Sequence, residues 1–147
     1  MISVYTDGSC LGNPGNGGWA FLIVGDRNIC YRTGFKLNTT NNQMELVAVI
    51  KALEFLKEFR DISINTDSNY VKQGITTWII NWKKNNWKTS RKQPVKNKEL
   101  WERLDKLNLS KNINWNWVKA HNINEFNNQV DTLARKAAET LTESSFN

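Results

Sequence analysis

Cysteine, histidine and proline are scarce in this chain. Its 147 residues include two cysteines, one histidine and two prolines. Two cysteines are too few for a disulfide scaffold, so a reducing, cytoplasmic setting is the simpler interpretation. A single histidine and two distant cysteines also exclude the clustered ligands of a zinc site.

Long apolar segments and nucleotide-binding loops are missing as well. No run of about 18 apolar residues occurs, so no transmembrane helix is expected. The N-terminus lacks the basic and apolar regions of a signal peptide. The pattern G-x-x-x-x-G-K-[ST] is absent. Residues 15–20 nominally fit G-x-G-x-x-A, but a strand is predicted to follow where that motif needs a helix, so we exclude a nucleotide cofactor.

Positive charge is what the chain has in excess. Its formal net charge is +6, which favours a polyanion such as nucleic acid, or an acidic membrane surface, as a partner. Residues 78–98, which we call the basic segment, hold seven Lys or Arg and no Asp or Glu. Three tryptophans, Trp78, Trp82 and Trp87, lie in the same segment.

Apolar periodicity predicts one α/β domain. Residues 2–5, 19–24 and 28–37 are predicted to be strands joined by short connections, which favours an antiparallel meander. Residues 46–59 follow helical spacing. A strand at 62–67, further helices, a strand at 113–119 and a closing helix then complete the pattern. This order predicts a mixed sheet covered by helices, and residues 143–147 are expected to form a flexible tail.

Four acids occupy informative positions in this pattern. Asp7 and Asp67 each end a predicted strand, whereas Glu45 and Asp131 lie near the start of a predicted helix. Each has a purely local interpretation: Asp7 as a turn residue, Asp67 as a helix N-cap, and Glu45 and Asp131 as acids at the positive end of a helix dipole. Strand ends and helix starts meet at one edge of such a sheet, however, so the four carboxylates can also converge.

Converging carboxylates repel one another and need cations. Mg²⁺ prefers oxygen ligands, and carboxylates shared by two metal ions ~3.5–4 Å apart suit in-line phosphoryl transfer. His121, the lone histidine, follows the last predicted strand. It is either a surface-loop residue or a proton shuttle beside the acids.

Six segments share their order and spacing with a known enzyme family. They are YTDGSCLGNPGNGG, TTNNQMEL, TDSNYVKQGI, WIINWKKNNWKT, PVKNKELW, and WVKAH with Asp131 ten residues beyond its histidine. Together they resemble ribonuclease H of type 1, and the basic segment makes the chain similar to the stand-alone bacterial enzymes. The resemblance implies an α/β ribonuclease H-like fold. Its sheet would have five strands, three antiparallel strands first, flanked by helices in one domain over residues 1–142.

The resemblance also implies an activity. It implies endonucleolytic cleavage of the RNA strand of RNA–DNA hybrids with two Mg²⁺ or Mn²⁺ ions, leaving 3′-hydroxyl and 5′-phosphate ends. It implies that Asp7, Glu45, Asp67 and Asp131 bind the metal and catalyse, and that His121 assists proton transfer or product release. A cytoplasmic monomer without a membrane partner is expected. The alternatives are a non-catalytic hybrid-binding protein and a DNA-directed nuclease of the same superfamily.

Substrate contacts are implied residue by residue. Positions that resemble minor-groove contacts are Cys10, Asn13, Asn41, Asn42, Asn69 and Gln73. Thr40, with Asn13, resembles part of a pocket for a DNA-strand phosphate. The basic segment resembles a protrusion that grips the DNA strand through Lys83, Lys84 and Lys88, and Trp78 is the candidate for contacting a sugar. The chain departs from the family's usual residues at Asn38, Asn69 and Ala120.

Overall fold

The computed structural model describes residues 2–118 and 124–147. Its strands are β1 (Ile2–Leu11), β2 (Gly15–Val24), β3 (Ile29–Thr39), β4 (Asp61–Thr66), β5 (Asn112–Trp117) and β6 (Ser144–Phe146). Its helices are α1 (Asn41–Phe55), α2 (Asn69–Gln73), α3 (Ile79–Lys84), α4 (Lys98–Leu109) and α5 (Glu125–Thr140), and a π-helical stretch, Gly74–Trp78, joins α2 to α3. Among the described residues, no helix combines the length and apolar character that crossing a membrane requires.

The strands form one mixed sheet in the order β5-β4-β1-β2-β3-β6. The predicted meander is confirmed, because β1 pairs with β2 and β2 with β3, both antiparallel. β4 lies parallel to β1 on its other side, and β5 lies parallel to β4. The first strand of the chain is therefore central in the sheet.

The sheet has six strands, so the prediction of five is wrong by one. Residues 144–146, expected to belong to a flexible tail, pair antiparallel with β3. The Thr33 and Ser144 hydroxyl oxygens are 2.7 Å apart, and the rings of Tyr31 and Phe146 stack with centroids 5.8 Å apart. A three-residue, mostly polar strand has too little alternation to be recognised in the sequence.

The position of Asp7 also differs from the prediction. Asp7 does not end β1, because β2 continues to pair with β1 as far as Leu11 opposite Asn16. Pairing between β1 and β4, in contrast, runs only from Ile2 to Tyr5. Asp7 therefore lies inside a strand, just past the last pair with β4.

Helices pack on both faces of the sheet. On one face α1 and α4 bury the larger apolar cluster, which includes Val4, Leu53, Ile64 and Trp101. On the other face Val130 and Ala134 of α5 pack with residues of β2.

α1 is held at both ends. Its N-cap is Thr40, whose side chain accepts from the Gln43 N–H at 3.2 Å. Beyond its C-terminus the Lys111 ammonium donates to three carbonyls, that of Leu56 at 2.9 Å among them.

Trp101 is the largest fully buried side chain, and it needs a glycine beside it. A Cβ on Gly74 would overlap three atoms of the Trp101 ring. The outer edge of the indole can therefore approach the helical segment this closely only because residue 74 has no side chain.

We expect Gly74→Ala to lower the free energy of unfolding by about 1–3 kcal/mol, because the new methyl group overpacks a buried ring. Alanine is the better helix former by about 1 kcal/mol, so the clash must outweigh that gain. Urea denaturation measures the difference. Gly25→Ala is the control, since a Cβ there has only an ordinary contact, 3.4 Å from the Asn28 carbonyl oxygen. Equal stability of the two variants would contradict the expectation.

Candidate active site

Three of the four predicted acids meet at one edge of the sheet. Asp7 comes from β1, Glu45 from the second turn of α1, and Asp67 from the residue that follows β4. One carboxylate oxygen of each lies within 4.8 Å of the others. Asp7 and Glu45 are each only 6% exposed, and Asp67 is half-buried. The arrangement is the oxygen-rich, negatively charged pocket that a hard divalent cation prefers.

Glu45 reaches this position because Gly8 follows Asp7. The Gly8 N–H donates a hydrogen bond to Glu45 Oε1. A Cβ on Gly8 would overlap the backbone between Met44 and Glu45, so any other residue would push α1 away from β1. Close packing at this one glycine therefore sets the distance between Asp7 and Glu45.

Ser68 supports the same carboxylate. Its hydroxyl hydrogen-bonds to Glu45, and its oxygen accepts from the Val71 N–H at 3.2 Å as the N-cap of α2. The alternative that Asp67 caps this helix is therefore wrong, and Asp67 is left to face the other two acids. Sequence reasoning missed both Gly8 and Ser68. A glycine inside a strand and a serine directly before a helix were the available signals.

Burial and the neighbouring negative charges keep Asp7 protonated when no cation is bound. Burial, followed by the charges of Glu45 and then Asp67, raises the pKa of Asp7 to about 11. Burial raises the pKa of Glu45 to about 7, although hydrogen bonds from Asp7, Gly8 and Ser68 act to lower it. The Asp7 carboxyl therefore holds a proton that it donates to Glu45. A divalent cation would favour the ionised forms of both.

Asp131, the fourth predicted acid, lies outside this tight cluster. Asp131 is in the second turn of α5, where its Oδ2 is 2.7 Å from the Arg135 guanidinium and its side chain is 45% exposed. It is close enough to hydrogen-bond with Asp7, which adds to the rise in the pKa of Asp7. His121 lies outside the described residues.

Five of the predicted substrate contacts gather at the start of α1. The Asn13 side chain, in the loop between β1 and β2, accepts from the Asn41 N–H at 3.1 Å. Thr40 caps the helix, and Asn41 and Asn42 are exposed beside it. The Cys10 thiol lies 3.3 Å from the Thr39 carbonyl oxygen. The structure therefore brings the loop and the helix start together on one polar surface.

The remaining contacts lie along α2, α3 and the basic segment. Asn69, the first residue of α2, is exposed, and Gln73, the last, is half-buried. Trp78 is half-buried between the rings of Tyr70 and Trp82, at 5.6 and 5.8 Å. The three lysines differ. Lys83 pairs with Asp105 at 3.3 Å, whereas Lys84 and Lys88 are exposed at the surface.

Known proteins resemble this chain over nearly its whole length. The model of the RNase H family matches residues 1–139. A ribonuclease H of Treponema denticola is 48% identical over 157 residues, which covers 95% of this chain and 98% of that one. Ribonuclease HI of Xylella fastidiosa is 53% identical over 138 residues, covering 94% of this chain and 92% of its own length.

Solved structures agree with the fold. The crystal structure of LC9-RNase H1, a type 1 RNase H with the type 2 active-site motif, is 31% identical with a TM-score of 0.85. That match covers 97% of this chain and 74% of the other. LC11-RNase H1, solved in complex with an RNA/DNA hybrid, is 23% identical with a TM-score of 0.69, covering 95% of this chain and 98% of its own, and shares the fold.

The buried acids predict how stability depends on pH without metal. Asp7 ionises near its ordinary value of 3.8 in the unfolded chain but holds its proton to about 11 when folded. The stability that the protonated form contributes is complete below 3.8 and is lost progressively as the pH rises above it. In chelator, Asp7→Asn should therefore flatten the pH profile and stabilise the protein at pH 7 by roughly 1–3 kcal/mol.

Thermal unfolding between pH 4 and 9 measures this effect. Added Mg²⁺ should raise the Tm of the wild type and leave that of Asp7→Asn nearly unchanged. Asp26→Asn, at an exposed turn, is the control and should keep the wild-type profile. An Asp7→Asn protein no more stable than the wild type in chelator would show that the acids do not destabilise the fold.

Proposed function

The chain belongs to the ribonuclease H family and is a nuclease of the hydrolase class, and we propose that it cuts the RNA strand of RNA–DNA hybrids with Mg²⁺ or Mn²⁺ as cofactor. The single observation that carries this proposal is the convergence of Asp7, Glu45 and Asp67 within 4.8 Å. Two buried acids held at raised pKa values are costly to a fold, and the cost is understandable where they bind a cation.

The donor set fits a hard divalent cation. The three residues offer carboxylate oxygens only, which suits Mg²⁺ or Mn²⁺ better than zinc. We propose that Asp7, Glu45 and Asp67 hold the metal, that Asp131 completes the set, and that two ions are present when substrate is bound. Such ions supply charge neutralisation and an activated water for in-line displacement at a phosphodiester, giving 3′-hydroxyl and 5′-phosphate ends.

The protein's own residues position these carboxylates. Gly8 and Ser68 hold Glu45 through a backbone N–H and a hydroxyl, so its carboxylate does not have to be ordered by the substrate. Packing of α1 against β1 keeps bulk water from the buried side of Asp7 and Glu45. The scissile phosphate would therefore approach from the open side, where Asp67 and Asp131 are partly exposed. His121 remains a candidate for proton transfer.

To recognise a hybrid, the protein needs one set of residues that contacts the RNA strand and another that contacts the DNA strand. The 2′-hydroxyl distinguishes RNA from DNA, and it can both donate and accept hydrogen bonds. We propose that Asn13, Asn41, Asn42 and the loop around Cys10 read it. Asn69 and Gln73 would contact the same minor groove from α2. Amide side chains suit this task because each offers a donor and an acceptor.

The basic segment would bind the DNA strand. Its lysines would make salt-dependent contacts with phosphates, and the exposed part of the Trp78 ring would contact a sugar. Thr40 with Asn13 would bind a further DNA phosphate beside the start of α1. A monomeric state and a cytoplasmic location remain predictions from the sequence.

The first test compares substrates. A labelled RNA–DNA hybrid, matched RNA–RNA and DNA–DNA duplexes, and junction DNA are incubated with Mg²⁺, with Mn²⁺ or with chelator. We expect metal-dependent cleavage of only the RNA strand of the hybrid, and a loss of at least about 100-fold in kcat for Asp67→Asn with the fold intact. Binding without cleavage would favour a hybrid-binding protein, and cleavage of junction DNA would favour a DNA-directed nuclease.

The second test concerns the lysines. Lys84→Ala with Lys88→Ala should raise KM several-fold, change kcat little, and lower the slope of log KM against log salt by about 1 per lysine. The matched control is Lys57→Ala with Lys106→Ala, which removes the same charge from exposed sites near the C-terminal ends of α1 and α4. Lys83→Ala should have a smaller effect, since Lys83 is already paired with Asp105. Equal salt slopes in all variants would rule out the basic segment as the binding site for the DNA strand.

A further inference from the structure

A chain of side-chain hydrogen bonds connects the start of α1 with α2 and α4. The Gln43 amide donates to Asn97 Oδ1 at 3.1 Å, and the Asn97 amide donates to the Tyr70 hydroxyl at 3.0 Å. The buried indole N–H of Trp101 donates to the same hydroxyl at 3.1 Å. The Thr39 hydroxyl donates to the side-chain oxygen of Gln43, Oε1, at 2.6 Å. Tyr70 is therefore the shared acceptor of a partly buried network.

The network lies between the acids and the basic segment. Gln43 precedes Glu45 by two residues in α1, and Tyr70 follows Asp67 by three residues in α2. Asn97 is the residue before α4, at the C-terminal end of the basic segment. The helix α1, which carries Glu45, and the helix α2, which begins two residues after Asp67, are thus tied directly to the point where the basic segment returns to the domain.

The other end of the basic segment also rests on Tyr70. The Tyr70 ring meets Trp78 edge-on at 5.6 Å, and Trp82 packs on Trp78 at 5.8 Å and on Trp101 at 5.5 Å. The ring of Trp87 follows at 6.2 Å from Trp82. Tyr70 therefore contacts both ends of the basic segment: its ring contacts Trp78 at the start, and its hydroxyl accepts from Asn97 near the end.

Local structure accounts for the residue type of Asn97 but not for the contacts of its side chain. Its backbone is left-handed, with φ of 59°, a conformation that asparagine tolerates and glycine prefers. Asparagine is a good N-cap, yet within the described structure the Asn97 side chain makes no capping bond to α4. Its amide is instead used to bridge Gln43 and Tyr70, which lie 27 residues apart in sequence. The side chain therefore serves the connection between elements.

We propose that Tyr70, with Gln43 and Asn97, is a positioning unit that fixes the basic segment relative to the Asp7–Glu45–Asp67 cluster. The proposal rests on the proposed hybrid-cleaving function. Lysines on a segment held in place bind phosphates without the entropy cost of ordering it, so the network acts through them on affinity. Its loss affects hybrid binding and its salt dependence, while the acids and the chemical step are untouched.

Tyr70→Phe is the decisive variant. It removes one oxygen, keeps the ring contacts with Trp78 and Trp101, and deprives Asn97 and Trp101 of their acceptor. We expect the Kd of a fluorescent hybrid in chelator and the KM for cleavage to rise about three- to tenfold. The salt slope should fall, and kcat should stay within about twofold. Tyr31→Phe, on the far side of the sheet beside β6, is the matched control and should leave all four quantities unchanged.

Two further variants separate positioning from general destabilisation. Asn97→Gly keeps the left-handed backbone and deletes the amide, so it should reproduce the Tyr70→Phe effect on Kd. When Lys84→Ala and Lys88→Ala are already present, Tyr70→Phe should raise Kd by less than about twofold, because the lysines through which it acts are gone.

The outcomes are distinct from those for the proposed function. A lowered Tm of Tyr70→Phe with wild-type Kd and salt slope would reduce the network to a structural role and overturn the proposal. Effects that multiply in the combined variant would also overturn it, since the network would then act independently of the lysines. Wild-type protein that binds the hybrid without cutting it would refute the proposed activity, yet the comparison of Kd values would still decide the role of Tyr70.

Discussion

The candidate site depends on one close approach, that of α1 to β1 at Gly8. Because residue 8 has no side chain, the helix backbone can lie against the strand, and the Gly8 N–H can satisfy the buried Glu45 carboxylate. An unpaired buried carboxylate would cost several kcal/mol, so contact and hydrogen bond are needed together. Moving α1 outward by even a methyl group would separate Glu45 from Asp7, Ser68 and Asp67 at once.

The close packing of α1 on β1 costs the fold stability, because it brings two buried acids together. Asp7 and Glu45 are buried within reach of each other, and burial raises the pKa of both. The apolar packing of α1 and α4 against the sheet must outweigh this repulsion, and fully buried residues such as Trp101, Leu46 and Ile50 supply that packing. The fold therefore holds unfavourable electrostatic energy at the place where a bound cation would relieve it.

Much of this could be predicted from the sequence, for local reasons. The alternation over residues 2–37 predicts strands and the spacing after residue 40 predicts a helix, because both patterns depend only on residues close in sequence. Asp67 could be predicted as a site residue because it lies at the end of a predicted strand. Contacts between distant residues carry no such signal. Ser68 supporting Glu45, or Gln43 meeting Asn97 across 54 residues, depends on how the elements pack. Asp7 was assigned to a strand end because glycines follow it, but pairing with β2 continues past those glycines.

The order of strands has a consequence for synthesis of the chain. Among the described elements of this domain, the central strand β1 is synthesised before the others, whereas α5, the helix that covers one face of the sheet, follows all the other helices, at residues 125–140. Until α5 emerges, Ala20 and Leu22 have no helix to cover them. A nascent chain that pauses before residue 125 would leave that apolar face open to solvent or to a chaperone. Folding of this domain can therefore be completed only after residue 140 has left the ribosome.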